Sequence, residues 1–236
     1  MAAEPLLSII TVVRNGERDI GPTLQSLCAF HGPDVEILVI DGASTDATLA
    51  VVRGFEAPID VLVSEPDSGI YDAMNKGIAR ARGRFVLHIN AGDLLLRVPR
   101  DELLAAPAAV AALSFPVRLD GGGSHVPTVG WRLRTFNTLH HQGTFYRRTP
   151  ALRYDVSLPT FADFDLNQRL LHAGNVRCLP GAVALHRLDG VSNRADRAPE
   201  LLAVILRNQG PFWLAMAWFL FKVRGLRQRI RRLARS

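Results

Sequence analysis

Two hydrophobic periods alternate along the first ninety residues, and the switching between them predicts the architecture. Leu7 to Val13 is a β-branched apolar run that stops at Arg14-Asn15-Gly16, the pattern of a core strand followed by a turn. Asp19 to Ala29 has helical spacing, Glu36 to Ile40 is a second short apolar run ending at "DGASTD", and Ala47 to Phe55 is helical again. A third strand, Asp60 to Ser64, leads through the "EPDSG" turn to a helix from Ile70 to Arg82 and a fourth strand from Arg84 to Asn90. Strands that alternate with helices predict an α/β fold built on a mixed, mostly parallel sheet flanked by helices. Ligands of such sheets gather beyond the carboxyl ends of the strands, which points to Arg14 and Asn15, Asp41 and Asp93.

After Asp93 the pattern loosens. Ala105 to Leu113 is Ala-rich, "LDGGGSHVP" from Leu119 to Pro127 reads as a flexible hairpin or loop, and "HHQGTFYRR" as a strand entering a site. A helix from Phe164 to Ala173 follows, with Leu166, Leu170 and Leu171 on its inner side. No repeat is visible, and the break around Gly190 to Pro199 is where a linker would fall, leaving residues 201–236 as a helical tail. Within that tail Phe212, Met216, Phe219, Val223, Leu226, Ile230 and Leu233 recur at alternating spacings of four and three, which places them on one helical stripe. Its apolar start, "PFWLAMAWFLF", is much shorter than the ~20 residues that span a bilayer. With Trp213 and Trp218 beside a cationic half, it suits a helix lying on an anionic membrane surface. The alternative is a helix packed on the domain or on a second copy of itself in a homodimer.

Composition narrows the classes. A chain of 236 residues with 48% hydrophobic content can bury a sizeable core. The formal charge of +6 points first to a nucleic-acid partner, but the seven cations Lys222, Arg224, Arg227, Arg229, Arg231, Arg232 and Arg235 supply more than all of it. The basicity therefore belongs to the tail and no nucleic acid is expected. Cys28 and Cys178 are far apart without a Cys-x-x-Cys partner, against a disulfide framework or zinc site and in keeping with a reducing cytoplasm. Glu4 and Pro5 stand where a secretory signal needs a basic start. The expected location is cytoplasmic, peripheral on the inner face of the plasma membrane.

"SIITVVRN", "VIDGASTD", "MNKGIARARGRFVLHINAGD" and "FADFDL", in this order, resemble the family 2 glycosyltransferases of GT-A (Rossmann-like) fold, particularly the bacterial enzymes that build O-antigen and exopolysaccharide. Each string alone is weak; four in order at strand ends are specific, and the likeness covers roughly residues 6 to 190. It implies a GT-A domain over residues 1–200, with a nucleotide-sugar half at about 6–93 and an acceptor half at about 94–200. It also implies an inverting transfer of a hexose, with UDP the family's commonest carrier, to a glycan or polyprenyl-linked glycan.

Carried over residue by residue, the resemblance makes Asp41 the acceptor for a base imide N–H, with Thr11, Arg14 and Asn15 lining the same slot. Asp46 reads as a local cap, and Asp72, Asn75 and Lys76 are donor-site candidates, although Lys76 and Arg80 equally suit a solvated helix face and Gly77 with Ala81 suit tight helix packing. Where the family has Asp-x-Asp this chain has "NAGD", so Asn90 and Gly92 replace carboxylates and Asp93 alone is the expected ligand of Mg²⁺ or Mn²⁺. His186 is either a second ligand, a diphosphate contact or structural. An inverting transfer needs one base and no enzyme nucleophile. Asp163 is the candidate and Asp165 the alternative, with Ala162 departing from the acidic residue often found before it and helix capping the competing role for Asp163. His141 and Gln142 are expected to reach sugar or diphosphate, Arg147 and Arg148 to flank the loop, and Trp131 and Phe136 to stack on sugar or join the core.

Two other classes compete. A non-catalytic module of the same fold is suggested by the depleted "NAGD" motif. A metal-dependent nucleotidyltransferase lacks the expected Gly-rich, lysine-bearing loop near the first strand, and no Gly-x-Gly-x-x-Gly follows Val13 to support a dehydrogenase.

Overall fold

The computed structural model describes residues 4–55, 59–173, 175–187 and 198–233. Its first half runs β1 (Leu7–Val13), α1 (Ile20–Cys28), β2 (Val35–Asp41), α2 (Thr48–Gly54), β3 (Val61–Ser64), α3 (Ile70–Arg80) and β4 (Phe85–His88). Then follow β5 (Leu94–Leu95), α4 (Arg100–Leu104), β6 (Val110–Ser114), β7 (Val117–Leu119), β8 (Ser124–His125) and β9 (Thr144–Arg147). The chain continues through α5 (Ala162–Ala173), β10 (Asn175–Cys178), β11 (Ala184–His186), α6 (Ala198–Gln209) and α7 (Pro211–Leu233).

A seven-stranded sheet in the order β10-β6-β9-β4-β1-β2-β3 forms the centre. β3, β2, β1 and β4 run parallel, while β9 is antiparallel to both β4 and β6. Every residue of β1 and β2 is buried, as a strand covered on both faces requires. Side-chain alternation then splits the core: Leu7, Ile9, Phe85 and Leu87 face one layer, and Ile10, Val12, Val86 and Tyr146 face another that includes Met74 of α3 and Leu166 of α5. Gly77 is small for a packing reason, since a Cβ there would stand 2.5 Å from Ile10 Cγ2.

A second sheet, β5-β11-β7-β8, holds β11 antiparallel to β5 and parallel to β7. It brings the end of β11, with His186, toward the loop that carries Asp93. The Ala-rich stretch ends as β6, in the main sheet between β9 and β10, and the "LDGGGSHVP" segment is the β7–β8 hairpin, turned by Gly122 and Gly123 at φ 93° and 84°. "HHQG" is not part of the strand: His141–Gly143 is a 3₁₀ turn, and β9 starts at Thr144. Much of the Gly190 to Pro199 break lies outside the described residues.

The tail continues the fold's packing. α6 and one face of α7 share a cluster in which Leu133, Leu139, Phe164, Val204, Ile205 and Ala217 are buried, with Trp213, Leu214 and Phe221 against them. Among the described residues no helix is long and apolar enough to cross a membrane.

Candidate active site

The ends of β1 and β2 form one turn-rich wall. Asn15 takes φ 51° and Ala43 φ 55°, left-handed positions that bend both loops inward. Asn15 N donates to Ser44 Oγ (2.8 Å) and its Oδ1 accepts from Thr45 N (2.9 Å), so this residue staples the two loops together. Asp41 is fully buried; it accepts from Ser44 N at 3.1 Å, from Ser64 Oγ at 2.7 Å and from the Ser44 hydroxyl. Asp46 caps locally, taking Thr48 N (2.9 Å) and Glu17 N (3.2 Å). Arg14 is exposed at the same edge, and the Thr11 hydroxyl is buried without a hydrogen-bond partner.

Beyond β4, Asp93 is 4% exposed and gathers three protein donors. Its Oδ2 accepts from Gln142 Nε2 (2.5 Å), and Oδ1 from His186 Nδ1 (2.8 Å) and Arg187 N (3.1 Å). Thr23 fixes the loop from below, donating to Asp93 O (2.8 Å) and accepting from Gly92 N (2.9 Å). Two amide oxygens beside this carboxylate, Asn90 Oδ1 and Gln142 Oε1, are buried with no partner. Hard oxygen acceptors left unpaired around a buried carboxylate are costly unless something cationic or protic meets them.

Asp163, in the first turn of α5, is the third carboxylate. Oδ1 takes its neighbour Phe164 N (2.7 Å) and Tyr71 Oη (3.3 Å), and Oδ2 takes Asn137 Nδ2 (2.8 Å). Burial, then the Asp163 charge, pushes the Tyr71 phenol well above its usual range, so it remains a donor. His141 spans the gap between the last two clusters: Nε2 meets Asn90 Nδ2 at 3.0 Å, and Nδ1 lies 3.8 Å from Asp163 Oδ2. An amide NH₂ can only donate, so Nε2 accepts and the imidazole proton sits on Nδ1, turned toward Asp163; a reversed Asn90 amide would accept from Nε2–H instead. His140 packs on His186 at 4.7 Å and on His141 at 5.5 Å, and burial followed by these neighbours and His125 depresses its pKa to about 2.

The structure does not bring every candidate here. Asp165, 1% exposed, is held by Arg169 Nε (2.9 Å), Arg207 Nη2 (2.6 Å) and Asn208 Nδ2 (2.7 Å), so it ties α5 to α6 and is no alternative base. Asn75 spends both ends of its amide on the Tyr154 backbone (2.9 Å each). Lys76 is occupied by Pro66 O (2.6 Å), Glu65 (3.3 Å) and Asp72 (3.6 Å), while Asp72 also accepts from Ser68 N (3.0 Å). These three brace α3 and its entry turn. Arg147 binds the carbonyls of Val110, Ala106 and Pro107, and Arg148 those of Gly83 and Arg82, which makes both structural. Phe136 packs on Phe221, whereas Trp131 is 50% exposed. Surface depressions of about 520 and 580 Å³ lie over Asp165 with Arg207 and over Asn75 with Arg148, and neither is lined by Asp41, Asp93, His141 or Asp163. Tyr71 and Asn137, which hold Asp163, escape the sequence reading because nothing local marks them; their partner lies 92 and 26 residues away.

The model of the family described as glycosyl transferase family 2 matches residues 8–122. An uncharacterized glycosyltransferase of Mycobacterium tuberculosis (strain ATCC 25618 / H37Rv) is 38% identical over 230 residues, 89% of this chain and 85% of that protein. This chain belongs to the family 2 glycosyltransferases. A PGL/p-HBAD biosynthesis glycosyltransferase of Mycobacterium bovis (strain BCG / Pasteur 1173P2) is 29% identical over 71% of this chain and 70% of its own length. Among solved structures, Staphylococcus aureus TarS 1-349 in complex with UDP superposes with a TM-score of 0.68 at 20% identity, over 86% of this chain. The glycosyltransferase spans 64% of that fragment's length. The mannosyltransferase PcManGT from Pyrobaculum calidifontis, in complex with GDP-Man and Mn²⁺, gives a TM-score of 0.64 at 19% identity over 92% of this chain and 70% of its own. These likenesses confirm the GT-A fold. Among the described residues no group of three or more His, Cys, Asp or Glu gathers as a metal cage.

Proposed function

We propose that this glycosyltransferase is an inverting, metal-dependent enzyme that moves a sugar, a hexose carried on UDP, to a glycan or polyprenyl-linked glycan in cell-surface polysaccharide synthesis. The observation that carries the reading is the arrangement of Asp93, His141 and Asp163. Asp93 lies in the loop after β4, Asp163 in the first turn of α5, and the His141 imidazole stands between Asn90 of the Asp93 loop and Asp163.

Asp41 and the Ser44 loop would take the base. Asp93 would be the protein ligand of Mg²⁺ or Mn²⁺, a hard carboxylate oxygen that would exchange one of its present donors for the cation while His186 Nδ1–H orients the carboxylate, and the unpaired Asn90 and Gln142 oxygens favour positive charge nearby. Such an ion would offset the charge developing on the departing nucleoside diphosphate. Asp163 Oδ2 accepts the proton of the incoming hydroxyl as that oxygen attacks the anomeric carbon; the carbon–oxygen bond to phosphate breaks, and its electron pair leaves with the diphosphate. Tyr71, Asn137 and the Phe164 amide fix the orientation of the base through three hydrogen bonds. His141, pinned by Asn90, turns Nδ1 toward the same carboxylate.

Calorimetric titration of UDP, GDP and dTDP, with and without Mn²⁺, on the wild type and Asp93→Ala tests this. One nucleotide that binds only with metal, and is lost in the variant, is the expected result. No binding of any nucleotide under any condition overturns the reading.

A further inference from the structure

α7 has two apolar faces, and the domain covers only one. Trp213, Leu214, Ala217 and Phe221 point into the cluster with Leu133, Phe164 and Ile205. At 100° per residue, Phe212, Met216, Phe219 and Val223 fall on roughly the opposite side of the helix. There Phe212 is 66% and Phe219 59% exposed, and Trp218, about 100° round the helix from Phe219, is 56% exposed. The sequence repeats the same register at Leu226, Ile230 and Leu233. Large apolar side chains in a row on an exposed helix face mark an interaction surface.

We propose that this outer face of α7 docks on an anionic lipid bilayer, lying in the interface without spanning it. Charge complementarity selects the occupant. From Pro211 to Leu233 the helix contains no acidic residue, and seven cations run from Lys222 to Arg235. Lys222 Nζ stands 4.6 Å over the Trp218 ring, an aromatic body joined to a charged head as the headgroup region favours. A second copy of the chain seated on the same face would bring two acid-free cationic segments together with no counter-charge, whereas anionic headgroups supply it at about fivefold in affinity per cation near the surface. Because the inner face is already docked, the helix can bind lipid without leaving the domain.

The same helix lies close to the base. Arg134 stacks on Trp213 at 5.3 Å and bonds Gln209 at 2.7 Å, Phe136 meets Phe221 at 5.2 Å, and the next residue, Asn137, holds Asp163. On the transferase reading above, the bilayer then lies one chain segment from the acceptor side, which suits a lipid-held acceptor.

The full chain is sedimented with vesicles of phosphatidylcholine alone and of phosphatidylcholine with phosphatidylglycerol, alongside the double variant Phe212→Ser, Phe219→Ser. The wild type should bind the anionic vesicles and not the neutral ones, weaken as salt rises, and lose about tenfold or more in the variant. An unchanged melting temperature in the variant is expected, since both side chains are exposed. Wild-type protein that stays in the supernatant, equal binding to both lipids, or a variant that binds like the wild type overturns the proposal. So does a dimer in light scattering that the variant dissolves while no vesicle is bound, which assigns the face to a second copy. Nucleotide titration of the same samples keeps this outcome separate from the transferase reading, because lipid binding requires no turnover.

Discussion

His141 stands between two side chains with different demands. Asn90 offers either a donor or an acceptor according to which way its amide turns, and Asp163 offers only an acceptor. Asn90, where the family has a carboxylate, thus holds His141 through a neutral amide. Asp163→Asn should reduce kcat by about 10³-fold and His141→Ala by about 10²-fold, the scale of lost general-base and supporting groups, with nucleotide affinity unchanged in both. Rapid-quench turnover with parallel donor titration checks this. Equal donor consumption by wild type and Asp163→Asn would remove Asp163 from the base role.

Asp165 belongs to the scale of elements. Its buried carboxylate receives Arg169 from its own helix and Arg207 and Asn208 from α6, so it anchors α6 across α5. Asp165→Asn should cost about 2–4 kcal/mol in urea unfolding, because one buried charge then fails two arginines, yet leave kcat near wild type. Loss of turnover at unchanged stability would return Asp165 to the catalytic machinery. The same contact explains what the sequence left hidden. β1, β2 and α3 were legible because each fills a complete hydrophobic period bounded by Gly, Asp or a turn. Asp41, Asp93 and Asp163 followed from strand ends and motif order. α6 was read only as part of one helical tail and not as a separate helix packed on α5, and Arg207 lies 42 residues from Asp165, so a carboxylate two residues after the base looked equivalent to it. The insertion of β9 between β4 and β6 was equally invisible, because antiparallel pairing of Val86 with Tyr146 and of Ala112 with the same Tyr146 joins residues far apart in sequence and leaves no local period.

Across the whole molecule, stability should depend on pH through histidines that support the site from inside. His88 ends β4, is fully buried against the Tyr154 ring at 5.5 Å, and neither ring nitrogen has a hydrogen-bond partner. Burial, then the nearby His141 charge, lowers its pKa to about 3; His140 is lowered to about 2. Both are depressed below the unfolded value of about 6.5, so the unfolded chain binds more protons and stability falls as pH drops below that value. From pH 7.5 to 5.5 each histidine should contribute a loss of about 1.4 kcal/mol, about 3 for the pair. Glu36 titrates in a separate window: burial opposes its charge, but Ser8 and Arg82 outweigh that and hold it below the usual range, so its contribution persists until the pH falls below about 4.3. Urea unfolding at the two pH values should therefore show about half the wild-type loss in His88→Leu, which removes one titrating ring and two unpaired nitrogens while keeping an apolar filling. A variant as pH-sensitive as the wild type would mean that His88 is protonated to the same extent in the folded and unfolded chains, and that the polar groups beneath the active site are solvated in the native state.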